Sequence, residues 1–203
     1  MPHAPLLLSL LSAALLSLPT ATARAEAVQE RIAPALPPLD ALLECRADIE
    51  QFSALIGPVD DPLQAVALGW APQPRSNPFM AEYRLNTPAS AHGHQSDWLA
   101  ISGGTVMLVL DQASITPQAL AQALSLEVVV DEEGKFMAGR EQVSRDRPDP
   151  QGGPMLIESA VIGVSTVNSH PGKILLGCTY SLDVPEEAAP DGDPAAGTAG
   201  SAG

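Results

Sequence analysis

The chain has 203 residues, with 24 Asp and Glu against 10 Lys and Arg, for a formal net charge of −14. That balance excludes a nucleic-acid binder, which must neutralise phosphates, and a polybasic patch for anionic lipid. Apolar residues, at 45%, are too many for a wholly disordered chain, while 20 prolines and 16 glycines keep much of it out of helix and strand interiors.

The first 25 residues read as a secretory signal peptide. Leu6–Leu18 is an apolar run between Pro5 and Pro19. It is shorter than the about 20 residues of a membrane helix and suits the apolar region of a leader. Ala21-Thr22-Ala23 and Ala23-Arg24-Ala25 both offer small residues for cleavage, and the later site places the mature start at Glu26. The segment before the run departs from the usual pattern, with His3 in place of Lys or Arg. No cysteine lies near the cut and no twin arginine precedes the run, so neither a lipid anchor nor export in a folded state is expected. The chain is therefore expected to be exported, periplasmic or extracellular, with no membrane insertion after cleavage.

Residues 26–38, with Pro34, Pro37 and Pro38, form a linker. Residues 184–203 form an acidic tail, made from Pro185 onward only of Pro, Glu, Ala, Asp, Gly, Thr and Ser. Burial there cannot offset the entropy of ordering, so the tail is expected to be disordered. Between them, residues 39–183 make one globular domain, long enough to bury about two-thirds of its unfolded surface.

The domain opens helical. Leu39, Leu42, Leu43, Cys45, Ile49, Phe52 and Ile56 share about half of a helical wheel, which predicts one helix stopped by Gly57-Pro58. Asp60 or Asp61 then caps a short helix with Pro62 in its first turn, ending at Gly69 before Trp70, a core anchor. After a proline-rich loop, Ala71–Pro78, the period becomes two. Phe79, Ala81, Tyr83 and Leu85 are expected inward, Met80, Glu82, Arg84 and Asn86 outward.

Trp98–Ser102 and Thr105–Leu110 flank Gly103-Gly104, a two-residue hairpin turn, and the second run is apolar on both faces, as in a central strand. Thr116-Pro117 caps a short helix ending near Leu124. Leu126–Val130 and Lys135–Val143 pair across Asp131–Gly134. Leu156–Val167 and Ile174–Leu182 are joined by Asn168–Lys173. These elements predict an α+β domain, with a largely antiparallel sheet of six to eight strands and the N-terminal and short helices packed on one face.

Cys45 and Cys178 are the two cysteines. Cys45 lies in the apolar arc of the first helix, and Cys178 shares a strand face with Ile174, Leu176, Tyr180 and Leu182. Both sulfurs point into a core, which in an exported chain predicts a disulfide. A catalytic thiolate needs an electropositive, partly exposed setting that neither has in sequence.

His92-Gly93-His94, with Asp97 beyond it, is the one cluster that resembles a metal site. On a strand His92 and His94 share a face, and Asp97 or His170 would supply further ligands. The pattern is far less specific than H-E-x-x-H, and the simpler reading is a polar loop with exposed histidines. Asn168, Ser169, His170 and Lys173 would bind a small anion, although Pro171 and Gly172 explain that loop as a turn. Asp131-Glu132-Glu133-Gly134 reads as a solvated hairpin turn in preference to a calcium contact. Arg140, Arg145 and Arg147, interleaved with Glu141, Asp146 and Asp149, read as a salt-bridged rim. No G-x-S-x-G elbow occurs, and Gly103-Gly104 lacks the lysine and helix of a phosphate loop. The expected function is that of a small exported, non-enzymatic binding or accessory module of the cell envelope, with a macromolecular partner and no cofactor. Its alternative is a metal-dependent enzyme using His92, His94, Asp97 and His170.

Overall fold

The computed structural model describes residues 36–185; the leader, the first part of the linker and nearly all of the acidic tail lie outside them. The fold is α+β, and the described residues form an eight-stranded antiparallel sheet with four short helices. The helices are α1 (Leu39–Leu43), α2 (Ile49–Asp60), α3 (Pro62–Ala67) and α4 (Pro117–Ala123). The strands are β1 (Trp70–Pro72), β2 (Ala81–Ala91), β3 (His94–Ser102), β4 (Thr105–Asp111), β5 (Glu127–Glu132), β6 (Lys135–Arg147), β7 (Leu156–Ser165) and β8 (Lys173–Asp183).

The strand order is β1-β2-β3-β4-β8-β7-β6-β5. Two four-stranded meanders thus meet at β4 and β8. The second meander enters at the outer edge of the sheet, so its last strand returns to the centre. The run Thr105–Leu110, apolar on both faces, accordingly lies deep inside the sheet, with β3 on one side and β8 on the other.

Helices cover one face. Leu42 and Leu43 of α1, Phe52, Leu55 and Val59 of α2 and Leu120 of α4 pack against Leu99, Val106, Leu108, Ile162, Val164, Ile174 and Leu176. Two tyrosine hydroxyls fasten helix to sheet: Tyr180 donates to the Leu42 carbonyl at 2.8 Å and Tyr83 to the Val59 carbonyl at 2.8 Å. The Tyr180 ring also stacks on Phe52, centroids 5.1 Å apart. Cys45 and Cys178 are bonded, with Cα atoms 5.3 Å apart and a separation of 133 in sequence. The bond ties the turn after α1 to the middle of the sheet.

Several local expectations are corrected. The apolar arc from Leu39 to Ile56 is two helices. Cys45 takes a left-handed conformation (φ 56°), and Asp48 starts α2 with a reciprocal capping box to Gln51. Gly57-Pro58 does not stop α2, which runs to Asp60 because Val59 is buried and its carbonyl accepts the Tyr83 hydroxyl. Phe79 is 82% exposed, since it sits in a turn held by the Asn77 side chain and precedes β2. Met80 and Glu82, expected outward, are buried on the face opposite the helices. Asp61, Thr116 and the hairpin at Gly103-Gly104 stand where the sequence places them.

Candidate functional site

Among the described residues no helix packs on the second sheet face. Register partners put Glu82, Ala100, Met107, Gly177, Gly163 and Gly139 in one row across six strands. Three consecutive glycines remove side chains from one half of this row. At Gly177 a Cβ would stand 2.0 Å from the Val106 carbonyl oxygen, so β8 approaches β4 at a distance only glycine permits. Gly163 differs: its nearest neighbour would be the Ala138 oxygen at 3.7 Å, and the space above is open.

The result is a groove of about 390 Å³ over the glycines, walled by Met80, Met107, Val129, Met137, Val161 and Leu175. Met80, Met107, Val109 and Leu175 are less than 10% exposed and pack together with Ala100, so this face has an apolar cluster of its own. Towards β5 the groove opens to water, where Val129 and Met137 are 68% and 45% exposed. Thr105 and Thr179, hydrogen-bonded to each other at 2.9 Å, are polar groups at its floor. Among the described residues no Asp, Glu, Lys, Arg or His lines it. Such a surface removes apolar groups from water when a partner covers it, and supplies no acid, base or nucleophile of enzymatic strength.

At the other end of the row lies a buried polar cluster. Glu82 Oε1 accepts from Ser76 Oγ at 2.9 Å, and Oε2 accepts from Trp98 Nε1 at 3.1 Å. His170 Nε2 lies 3.1 Å from Glu82 Oε2, off the line of a hydrogen bond, while its Nδ1 meets Ser169 Oγ at 3.0 Å. Burial pushes the Glu82 carboxyl up, but the His170, Ser76 and Trp98 contacts outweigh it and hold the group below its ordinary value. Arg84 lies over the Trp98 ring, 4.2 Å from its centroid, and pairs with Asp97 at 2.8 Å. These groups brace the ends of β2, β3 and β8 around the last loop. The sequence carries little signal for the cluster, because Glu82 falls at an outward position of its strand.

The four candidate metal ligands are not brought together. His92 and Gly93 are the two residues of a hairpin turn, with φ of 49° and 82°, so β2 and β3 run up to a tight corner where a polar loop was expected. The turn breaks the period-two facing on which a shared ion would rest. The His92 amide donates to Glu44 Oε1 at 2.8 Å, towards α1, and burial pushes its imidazole pKa down. His94 lines a cleft with Asp97, Trp98 and Lys173, Asp97 is taken by Arg84, and His170 by Glu82. Among the described residues no three His, Cys, Asp or Glu side chains are placed to hold one ion. The anion reading of the last loop fails similarly, as His170 turns inward and Lys173 pairs with Asp111 at 3.0 Å.

The arginine stretch has other partners than its interleaved acids. Arg145 and Arg147 both reach Glu158, which is 1% exposed on the helix side of β7. Glu158 Oε1 also accepts the Ile49 amide at 3.1 Å, the first helical N–H of α2. This network fixes α2 to the sheet. Among the described residues no helix is long and apolar enough to cross a membrane. Comparison with known proteins finds no family model, no curated protein and no solved structure that matches the chain.

Proposed function

We propose that the protein is a small exported binding module that holds its partner on the open sheet face and acts without catalysis. The observation that carries this reading is the uncharged groove over Gly139, Gly163 and Gly177, which ends at exposed Val129 and Met137. An uncharged, mainly apolar groove on a face that no helix among the described residues covers is the kind of place where a ligand or partner segment binds. The buried carboxylates Glu82 and Glu158 serve the scaffold: each joins separate elements and has both its oxygens engaged from within the fold. Export follows from the expected leader before Glu26, and the Cys45–Cys178 bond suits an oxidising compartment.

Gly163→Leu tests the reading, because a Cβ there makes only an ordinary contact, 3.7 Å from the Ala138 oxygen, and meets no other atom within 4 Å. Anilinonaphthalene sulfonate, a dye that brightens on apolar surface, should bind the folded protein saturably at one site. The variant should keep the melting temperature within a few degrees, as expected of an accommodated surface change, and lose the dye. Equal dye binding by both proteins, or none by the parent, would overturn it.

A further inference from the structure

The two edges of the sheet are unlike. At one end β1 is three residues long and finishes at Pro72, the usual way of blunting an edge. At the other end β5 is six residues long, Glu127-Val128-Val129-Val130-Asp131-Glu132, with no proline and no lysine. It pairs with β6 alone, and among the described residues its backbone makes no hydrogen bond on the outer side. A bulge between Val128 and Val130 leaves Val129 out of register, and Val129 walls the groove. Val128 and Val129 are 51% and 68% exposed. This edge therefore offers unpaired N–H and C=O groups, exposed aliphatic side chains, and direct continuity with the open face.

Charge selects what adds to it. Glu127, Asp131, Glu132 and Glu133 lie on the strand and its turn, and among the described residues none of them pairs with a Lys, Arg or His. A second copy would meet its own charge, since β5 and its turn carry four acidic residues and no basic one. Like charges directly opposite destabilise an antiparallel pair and opposite charges stabilise it.

The bulge leaves Glu127 and Glu132 on the open face, opposite Gly139 and Lys135, and turns Asp131 to the helix face, where its Oδ1 accepts from Gln118 Nε2 at 3.0 Å. We propose that β5 accepts an added strand, an extended peptide segment with Lys or Arg on the face of Glu127 and Glu132 and aliphatic residues on the other. Main-chain hydrogen bonds along the outer edge hold the segment, the acidic residues choose its charge, and Val128 and Val129 take its apolar side chains. The inference rests on the reading of the protein as a binding module and names the class of partner for the rim of that face.

The probe is acetyl-Lys-Val-Lys-Val-Lys-Val-amide, titrated against the full mature chain. Binding is read by fluorescence anisotropy and located by amide hydrogen exchange. The expected result is one saturable site with slowed exchange at residues 127–132. A peptide of the same sequence with alternate amides N-methylated keeps the charge but cannot form a strand, and should bind about tenfold more weakly or worse. The double variant Glu127→Lys/Glu132→Lys changes two exposed side chains on one face. It should lose about tenfold for the lysine peptide and gain similarly for its glutamate counterpart.

Equal binding of the N-methylated peptide would show general attraction to an acidic protein and overturn the proposal. So would protection outside β5, no binding, or self-association of the chain through β5. If the peptide fails while the dye is still displaced by Gly163→Leu, the edge inference alone falls; if both fail, the binding-module reading falls with it.

Discussion

Glu158 shows how one residue joins two layers. Its carboxylate sits on the core face of β7, receives both Arg145 and Arg147, and accepts the first amide of α2. Burial pushes its pKa up, but the Arg145 pair, the Ile49 amide and Arg147 outweigh that and hold the group below its ordinary 4.5. A depressed folded value means that the charged form stabilises the fold above pH 4.5, and that this contribution is lost as pH falls through the lowered value. Glu82 and Glu44 are shifted the same way and add to the loss. Glu158→Gln should therefore cost about 3 kcal/mol at neutral pH, the low end for breaking a buried pair, because half-exposed Arg145 can reach water. Thermal melts from pH 7 to pH 3 check the account. The parent should fall steeply below pH 4.5 and the variant less so; parallel curves would show that Glu158 does not carry the acid sensitivity.

At the scale of elements, what was legible depended on whether local chemistry agreed with packing. Thr116-Pro117, Asp61-Pro62 and Gly103-Gly104 are a cap, a cap and a turn in the structure because no tertiary contact opposes them. The first helix was misread because its apolar arc continues through a break. The break was written in Asp48-x-x-Gln51, a capping box, but seven apolar residues in helical phase outweighed it. Gly57-Pro58 misled in the other direction, since the Tyr83 hydroxyl holds the end of α2 from a strand 24 residues away. The groove was legible only in part. Leu175, Gly177 and Thr179 could be assigned to one face of the last strand, but the alignment of Gly139, Gly163 and Gly177 is a property of register between strands. Periodicity within a strand does not contain it.

For the whole molecule, the central closure is the return of β8 to the middle of the sheet, locked by Cys45–Cys178. A crosslink over 133 residues removes loop entropy from the unfolded chain worth about 5 kcal/mol in the chain-entropy account. Replacing both cysteines by serine should lower the melting temperature by about 10–20 °C. The two meanders and the helix layer should still fold, because the core packed around Leu42, Leu99, Leu108, Ile162 and Leu176 extends well beyond the bond. Calorimetry of the double variant checks this, and natively exported protein should resist alkylation until reduced. An alkylatable pair in exported protein would contradict both the bond and the compartment assigned to it.

The central claim joins the two faces: one side of the sheet builds the core, and the other is the proposed binding face. The methionines report on that claim directly. Met80, Met107 and Met137 wall the groove, whereas Met155 is exposed in the loop before β7 and does not line it. With methyl-labelled methionine in the mature protein, titration of anilinonaphthalene sulfonate should shift the Met80, Met107 and Met137 signals together, saturating at one equivalent, and leave Met155 in place. Shifts confined to Met155, or spread equally over all four, would contradict the assignment of the open face as the binding surface.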